Sequence, residues 1–283
     1  MYPSSSLIIS TYNWPEALTV CLKSALRQER LPDEIIIADD GSGSATKAVV
    51  QEFQKKSPIP ITHIWHEDNG FRLAHIRNKA IAAASGEYII QIDGDILIHS
   101  HFVSDHLRFA QKNSFVRASR IYLNEDASGQ IMRTQKTDIN LFNKGTSNLF
   151  SAFRVPVLWP LFATTYKNKG DERYEIHGCN MAFWKKDAVE VNGYNEAFSG
   201  WGPEDKEFVA RLLNAGKHKR FLKLGGLAFH LYHPENSKHN LDTNERLLMK
   251  TVRSGCTFCN SGIDKYIQLN GEENLNGTRN SYL

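Results

Sequence analysis

The sequence predicts an α/β fold in which a mostly parallel central sheet is flanked by helices. Three observations carry this. Short apolar runs of strand length alternate with segments of helical periodicity through the first hundred residues. The runs are fit for buried strands. Three of them end in polar clusters, Ser10-Thr11-Tyr12, Asp39-Asp40-Gly41 and Asp93-Gly94-Asp95. In an open α/β sheet, ligands sit beyond the carboxyl ends of the strands, so these clusters are candidates for one shared site.

The elements follow in order. Residues 6–11 read as a first strand and 12–15 as a loop. Pro15 suits the first turn of a helix over 15–28, where Leu18, Cys21, Leu22, Ala25 and Leu26 fall at helical spacing. Residues 34–38 form a second strand, 45–56 a helix, 61–65 a third strand, 74–85 an Ala-rich helix and 87–92 a fourth strand. Beyond 100 the pattern weakens. Residues 101–112 read as helical, while 124–172, with Gly129, Gly145, Pro156, Pro160 and Gly170, read as long surface segments. The signal returns as a strand over 177–184, a helix over 204–215 with Phe208, Leu212 and Leu213 inward, and a last strand over 227–234 that ends in histidine. The expected organisation is a domain over 1–240, with a nucleotide-binding half (1–100) and a smaller acceptor and catalytic half (101–240). A polar, Asn-rich tail over 241–283 contains one helix at 242–253.

The 283 residues carry 34 basic and 31 acidic side chains, a net charge of +3. That balance argues against nucleic acid as the main partner and is compatible with an anionic substrate or a weak membrane-surface contact. No apolar run reaches the length of a membrane span, and the amino terminus lacks the pattern of a signal peptide. The expected location is cytoplasmic, with peripheral contact at the inner membrane face left open. The four cysteines, Cys21, Cys179, Cys256 and Cys259, read as reduced thiols.

Asp93 and Asp95 are one residue apart at the end of an apolar strand, so their side chains point to the same face. In a turn permitted by Gly94 both can reach one hard divalent cation. Oxygen ligation of that kind suits Mg²⁺ or Mn²⁺ with sites left open for phosphate oxygens.

Together Ser10-Thr11-Tyr12-Asn13, Ala38-Asp39-Asp40-Gly41-Ser42, the 74–84 segment with Arg77-Asn78, Asp93-Gly94-Asp95 and Gly200-Trp201-Gly202-Pro203-Glu204-Asp205 resemble the inverting, nucleotide-sugar-dependent glycosyltransferases of the GT-A fold. The likeness spans about 5–235, and its downstream part resembles the branch with chondroitin-polymerase and galactosyltransferase-like domains. It implies a UDP-sugar donor, Mn²⁺ or Mg²⁺, and a glycan or lipid-linked acceptor in surface polysaccharide or lipopolysaccharide synthesis. Galactose or N-acetylgalactosamine is the favoured sugar.

The resemblance also implies roles. Asp95 binds the metal most directly, and Asp93 touches ribose or sugar or reaches the metal through water. A third metal ligand comes from the last strand: His233, followed by Pro234-Glu235-Asn236, is preferred and His230 is the alternate. Residues three apart on a strand face opposite ways, so both can bind only if the strand ends between them. Tyr12 packs on uracil, Asp40 accepts from the base, and Asp39 is structural. Arg77, read near a helix start, contacts diphosphate or base, and Arg72 is a weaker candidate. Asp205 resembles the catalytic base, at a helix start whose dipole favours negative charge. Glu204 beside it could hold the donor sugar's hydroxyls, and Trp201 offers an exposed ring for sugar stacking. A sugar nucleotidyltransferase is the alternative, disfavoured because the loop Thr11-Tyr12-Asn13-Trp14-Pro15 lacks glycine and lysine. A non-catalytic nucleotide-sugar or glycan-binding module is a third reading.

Overall fold

The computed structural model describes residues 1–137, 146–147, 152–234 and 240–267. The first hundred residues contain β1 (Ser5–Thr11), α1 (Pro15–Ala25), β2 (Glu34–Asp39), α2 (Ser44–Lys56), β3 (Ile61–Trp65), α3 (Leu73–Ala83), β4 (Tyr88–Asp93) and β5 (Ile96–Ile98). The second half adds α4 (Phe102–Phe109), β6 (Ser114–Ala118), β7 (Arg120–Leu123), α5 (Glu125–Thr134), β8 (Thr146–Ser147), α6 (Trp159–Ala163), β9 (Asn180–Trp184), α7 (Lys185–Glu190), α8 (Glu204–Asn214), β10 (His218–Leu222) and β11 (Ala228–His230). The helix α9 (Leu241–Ser254) follows.

Seven strands form one sheet in the order β10-β6-β9-β4-β1-β2-β3. β1 pairs in parallel with β2 and β4, β2 with β3, and β10 with β6; only β9 runs antiparallel to its neighbours. The central strands β1, β2 and β4 have near-continuous apolar runs because both faces are covered. Leu7, Ile9, Ile35, Ile37, Ile90 and Ile92 pack with Leu18 and Leu22 of α1 on one side. Ile8, Ile36 and Ile89 pack with Ile76 and Ile81 of α3 and Phe208 and Leu212 of α8 on the other.

A second sheet, β5-β11-β7-β8, sits against it. β5 begins directly after Asp95 and pairs antiparallel with β11, setting His230 opposite Ile96. The Leu231 N–H then donates to the Asp95 carbonyl at 2.9 Å. Leu97, Ile121, Phe229 and Leu231 pack with Ala17 and Val20 of α1 in a separate cluster that seats this small sheet.

Several expectations are corrected. The segment 124–172 is not all surface: α5 and α6 lie in it, and Ala152, Trp159 and Ala163 are buried. Trp159 donates its indole N–H to the Leu224 carbonyl (2.8 Å), so a ring expected outside anchors the segment. β5, β6, β7 and β10 were not foreseen; each is only three to five residues long. The last strand ends at His230 rather than 234. At Gly94 the approach is close, since a Cβ there would lie 3.1 Å from the Ser10 carbonyl oxygen. The loop Glu235-Asn236 lies outside the described residues, as does 268–283 of the tail.

Candidate active site

The carboxyl ends of β1, β2 and β4 open onto one cavity of about 560 Å³, lined by Ser10, Thr11, Tyr12, Trp14, Asp40, Phe71, Leu73, Asp93, Gly94, Asp95, His230, His233 and Pro234. The three polar clusters therefore do share a site. Tyr12 is half exposed at its mouth, its hydroxyl donating to Asp68 at 2.9 Å. Asp40 is buried at its wall, where one oxygen faces His66 Nε2 (2.6 Å) and the other accepts from the Arg72 N–H (2.9 Å). Burial raises the Asp40 carboxyl and lowers the His66 imidazole. Asp39 points away, accepting from the Ser42 N–H and facing His63 Nε2, as a structural residue would.

Asp95, His230 and His233 converge at the other end of the cavity. Their ligand atoms lie within 4.8 Å of one another. His230 and His233 Nε2 are 3.7 and 3.4 Å from Asp95 Oδ2. Because β11 ends at His230, the alternation that would turn His233 away does not operate. Each ring places Nδ1 against a backbone carbonyl, Leu231 O at 2.8 Å and Pro234 O at 2.7 Å. A carbonyl only accepts, so Nδ1 donates, and the neutral ring's lone pair is on Nε2, facing the carboxylate. The facing atoms are all acceptors, an arrangement that calls for a cation between them. Asp95 Oδ1 is in addition buried with no hydrogen-bond partner. One carboxylate and two imidazoles fit Mn²⁺ better than Mg²⁺.

Behind the cavity stands a second charge cluster. Arg77 is 1 % exposed and sits in the middle of α3, not near its start. Its guanidinium reaches three carboxylates: Asp93 Oδ1 (3.1 Å), Glu204 Oε1 (3.2 Å) and Asp205 Oδ1 (2.7 Å), while its Nε donates to Ser10 Oγ (3.3 Å). Three acids against one cation leave an excess of negative charge. It falls on the most buried of them: desolvation, then the neighbouring Asp205, pushes Glu204 up to about 8. The other Asp205 oxygen accepts from the Gly178 N–H at 2.9 Å. A side chain at 178 would collide with it, since a Cβ there would lie 2.3 Å from Asp205 Oδ2.

Arg77, Trp201, Glu204 and Asp205 do not line the cavity. Arg77 is spent on internal carboxylates, which leaves little of it for a diphosphate or base. Trp201 is 39 % exposed, and its carbonyl accepts from Asn244 of α9 (3.1 Å), so the described part of the tail braces this loop. Gly200, one residue before it, donates its N–H to the carbonyl of cavity-lining Phe71 at 3.2 Å. Sequence reasoning missed His66, Asp68, Phe71 and Trp14. No spacing pattern flags them; His66, Asp68 and Phe71 become visible only once β3 is seen to run beside β2, and Trp14 only once its ring is seen against His233.

Comparison with known proteins bears on the family and the fold. Residues 6–189 match Glycosyl transferase family 2, and 160–234 match the N-terminal domain of galactosyltransferase. The chain is 28 % identical over 239 residues to the chondroitin synthase of Escherichia coli, covering 80 % of this chain and 34 % of that one. It is 35 % identical over 263 residues to the uncharacterized glycosyltransferase YfnE of Bacillus subtilis, covering 83 % and 66 %. It thus spans about a third of the length of that chondroitin synthase. Among solved structures, the mannosyltransferase PcManGT from Pyrobaculum calidifontis, in complex with GDP-Man and Mn²⁺, superposes with a TM-score of 0.58 at 17 % identity, covering 83 % of this chain and 59 % of that one. S. aureus TarS 1–349 in complex with UDP-GlcNAc gives 0.63 at 16 % identity, covering 93 % and 69 %. These two likenesses show the fold, the GT-A fold. With a matched segment running from β1 through β9, the chain belongs to glycosyl transferase family 2.

Proposed function

We propose that this chain transfers a sugar, of the galactose or N-acetylgalactosamine type, from a UDP-sugar to a hydroxyl of a glycan or lipid-linked acceptor, with inversion at C1. The observation that carries this reading is the Asp95–His230–His233 cluster opening into the cavity that Tyr12 and Asp40 also line. The E. coli and P. multocida relatives named chondroitin synthase support a place in polysaccharide synthesis. Among the described residues no helix is long and apolar enough to cross a membrane.

Asp95, His230 and His233 would hold Mn²⁺ or Mg²⁺, which when bound neutralises charge on a departing diphosphate. The half-exposed ring of Tyr12 stacks on the uracil base. The Asp40 carboxylate, held by His66 and the Arg72 N–H, keeps lone pairs for the imide N–H of uracil. On the acceptor side, Asp205 takes the proton from the attacking hydroxyl. Its two oxygens are fixed by Arg77 and the Gly178 N–H, which aims the carboxylate and restricts its rotation. Asp93 hangs from the same guanidinium at the cavity edge. Arg77 therefore ties donor side to acceptor side as one rigid unit.

The test is UDP release from UDP-sugars by the purified chain, with Mn²⁺, with Mg²⁺ and with excess chelator. Metal-stimulated release supports the reading. Full activity in chelator removes the metal assignment, and binding of UDP-sugar without any turnover against a broad acceptor panel favours a binding module.

A further inference from the structure

The two imidazoles of the cation cluster are not held alike. His230 lies within β11, whose register sets it opposite Ile96 of β5 and Tyr122 of β7. His233 lies three residues on, beyond the last strand pairing, and its side chain is 34 % exposed against 13 % for His230. Its Nδ1 bonds to the carbonyl of its own neighbour Pro234, so this bond selects the tautomer but its partner belongs to the same loop. Among the described residues two rings flank it, His230 at 5.1 Å and Trp14 at 6.1 Å between centroids. The Trp14 ring meets it edge to face, at 87°. That separation and orientation are ones that aromatic pairs prefer.

Trp14 is itself fixed from several directions. It caps the start of α1, where its carbonyl accepts from the Leu18 N–H at 3.1 Å. Pro15 follows it and restricts its backbone further. Asn13 before it is left-handed, with φ 43°, a conformation that Asn takes more readily than most residues. Asn13 is pinned to the loop after β2: its N–H donates to Ser42 Oγ (2.8 Å), and its side-chain oxygen accepts from the Gly43 N–H (2.9 Å). The half-buried Trp14 ring packs against the cluster that seats the small sheet and also lines the donor cavity. A rigid residue of the first loop therefore stands against a loosely tethered one after the last strand.

We propose that Trp14 is a positioning residue of the cation site: its ring confines the His233 imidazole so that Nε2 faces Asp95. The proposal rests on Asp95, His230 and His233 as that site. A ligand side chain that is free to turn loses rotamer freedom when a cation binds. One already confined has less to lose, so the cation is held more tightly. Tyr12 and Trp14 both line the cavity, so one short loop, locked at Asn13, serves the base end and the cation end together.

The test is a double-mutant cycle on the dissociation constant of Mn²⁺, read from the electron paramagnetic resonance signal of the free ion with the full chain, so no turnover is needed. Trp14→Ala should raise that constant about two- to tenfold, the worth of one aromatic pair, and Trp14→Phe should recover most of the loss. In a His233→Ala background Trp14→Ala should add almost nothing, because the contact it removes is already gone. A merely structural role would weaken Mn²⁺ binding equally in both backgrounds, and that result overturns the proposal. So does an unchanged constant in Trp14→Ala when His233→Ala raises it. If Trp14→Ala does not fold, as read by its melting curve, the cycle is run with Trp14→Leu, which keeps apolar bulk without the ring. No Mn²⁺ binding by the unaltered chain, with UDP or without, or an unchanged constant in His233→Ala, removes the cation site itself and this proposal with it.

Discussion

Asp93 and Asp95 are separated by one glycine, yet they belong to opposite kinds of charge cluster. Asp93 shares Arg77 with Glu204 and Asp205, so its cluster carries a covalently attached cation. Asp95 faces two imidazole nitrogens and keeps one buried oxygen without a partner. In the first cluster every acid reaches a guanidinium; in the second the carboxylate meets no cationic side chain among the atoms that face it unless an imidazole takes up a proton. The difference lies within a single tripeptide: Asp93 has a cation supplied by the chain, and Asp95 has not. A cluster with its own cation resists change, while one that lacks a cation is a place for an exchangeable ion.

The sharpest way to break this comparison is to remove the internal cation. Arg77→Met leaves three carboxylates around a buried gap, and breaking such a group from one side costs about 3–5 kcal/mol. Urea unfolding should show that loss, with turnover near background. The matching change in the other cluster, Asp95→Ala, should leave the fold intact and abolish metal-stimulated UDP release. If Arg77→Met unfolds at the wild-type midpoint, the two clusters are not distinct in kind.

Asp205→Asn follows in size. Removing a positioned base lowers turnover roughly 10²–10⁴-fold. UDP affinity should be unchanged, because Asp205 does not line the donor cavity. Glu204→Gln is the control one residue away; if it is the inactive variant and Asp205→Asn turns over normally, the roles exchange.

His230→Ala and His233→Ala sharpen the metal end. Each should raise the Mn²⁺ concentration for half-maximal activity at least as much as loss of a ligand's supporting partner, about 10–100-fold. An effect confined to one histidine reduces the cluster to a two-residue site. At the opposite end of the cavity, Asp40→Asn should lower UDP affinity and narrow its margin over CDP, whose base lacks the imide proton. Equal binding of UDP and CDP by the unaltered protein removes Asp40 and Tyr12 from base recognition.

The smallest effect concerns pH. Glu204 is raised from 4.5 to about 8 in the folded protein. Between those values the folded state holds a proton that the unfolded chain has released, so its contribution to stability falls as pH rises through that window and is constant above it. Glu204→Gln mimics the protonated form and should flatten the melting temperature between pH 5 and 8. An unchanged slope would show that Glu204 is ionised in the fold.

Most of the first half of the fold was legible, because β1, β2 and β4 are apolar runs with helical periodicity between the strands; β5, three residues long and close behind β4, was not. The second half was not, because its strands are short and its longest connection hides a buried tryptophan. In the site, the strand-end clusters could be seen from spacing alone. Arg77 could be placed on its helix, but its burial could not be foreseen, since the acids that surround it come from positions 93, 204 and 205. The two histidines posed a question of parity that only the end of β11 answers.

The short pairing of β5 with β11, joined by the bond from Leu231 to Asp95, has a consequence for the order in which the molecule comes into being. The cavity-lining residues 10–12, 40 and 93–95 leave the ribosome early, while both imidazoles arrive more than a hundred residues later. A chain that stops before residue 230 would therefore lack both imidazoles of the candidate cation cluster. Placing two members of the candidate cation cluster at and just beyond the end of the last strand of the small sheet makes that cluster depend on a late-synthesised segment of the domain.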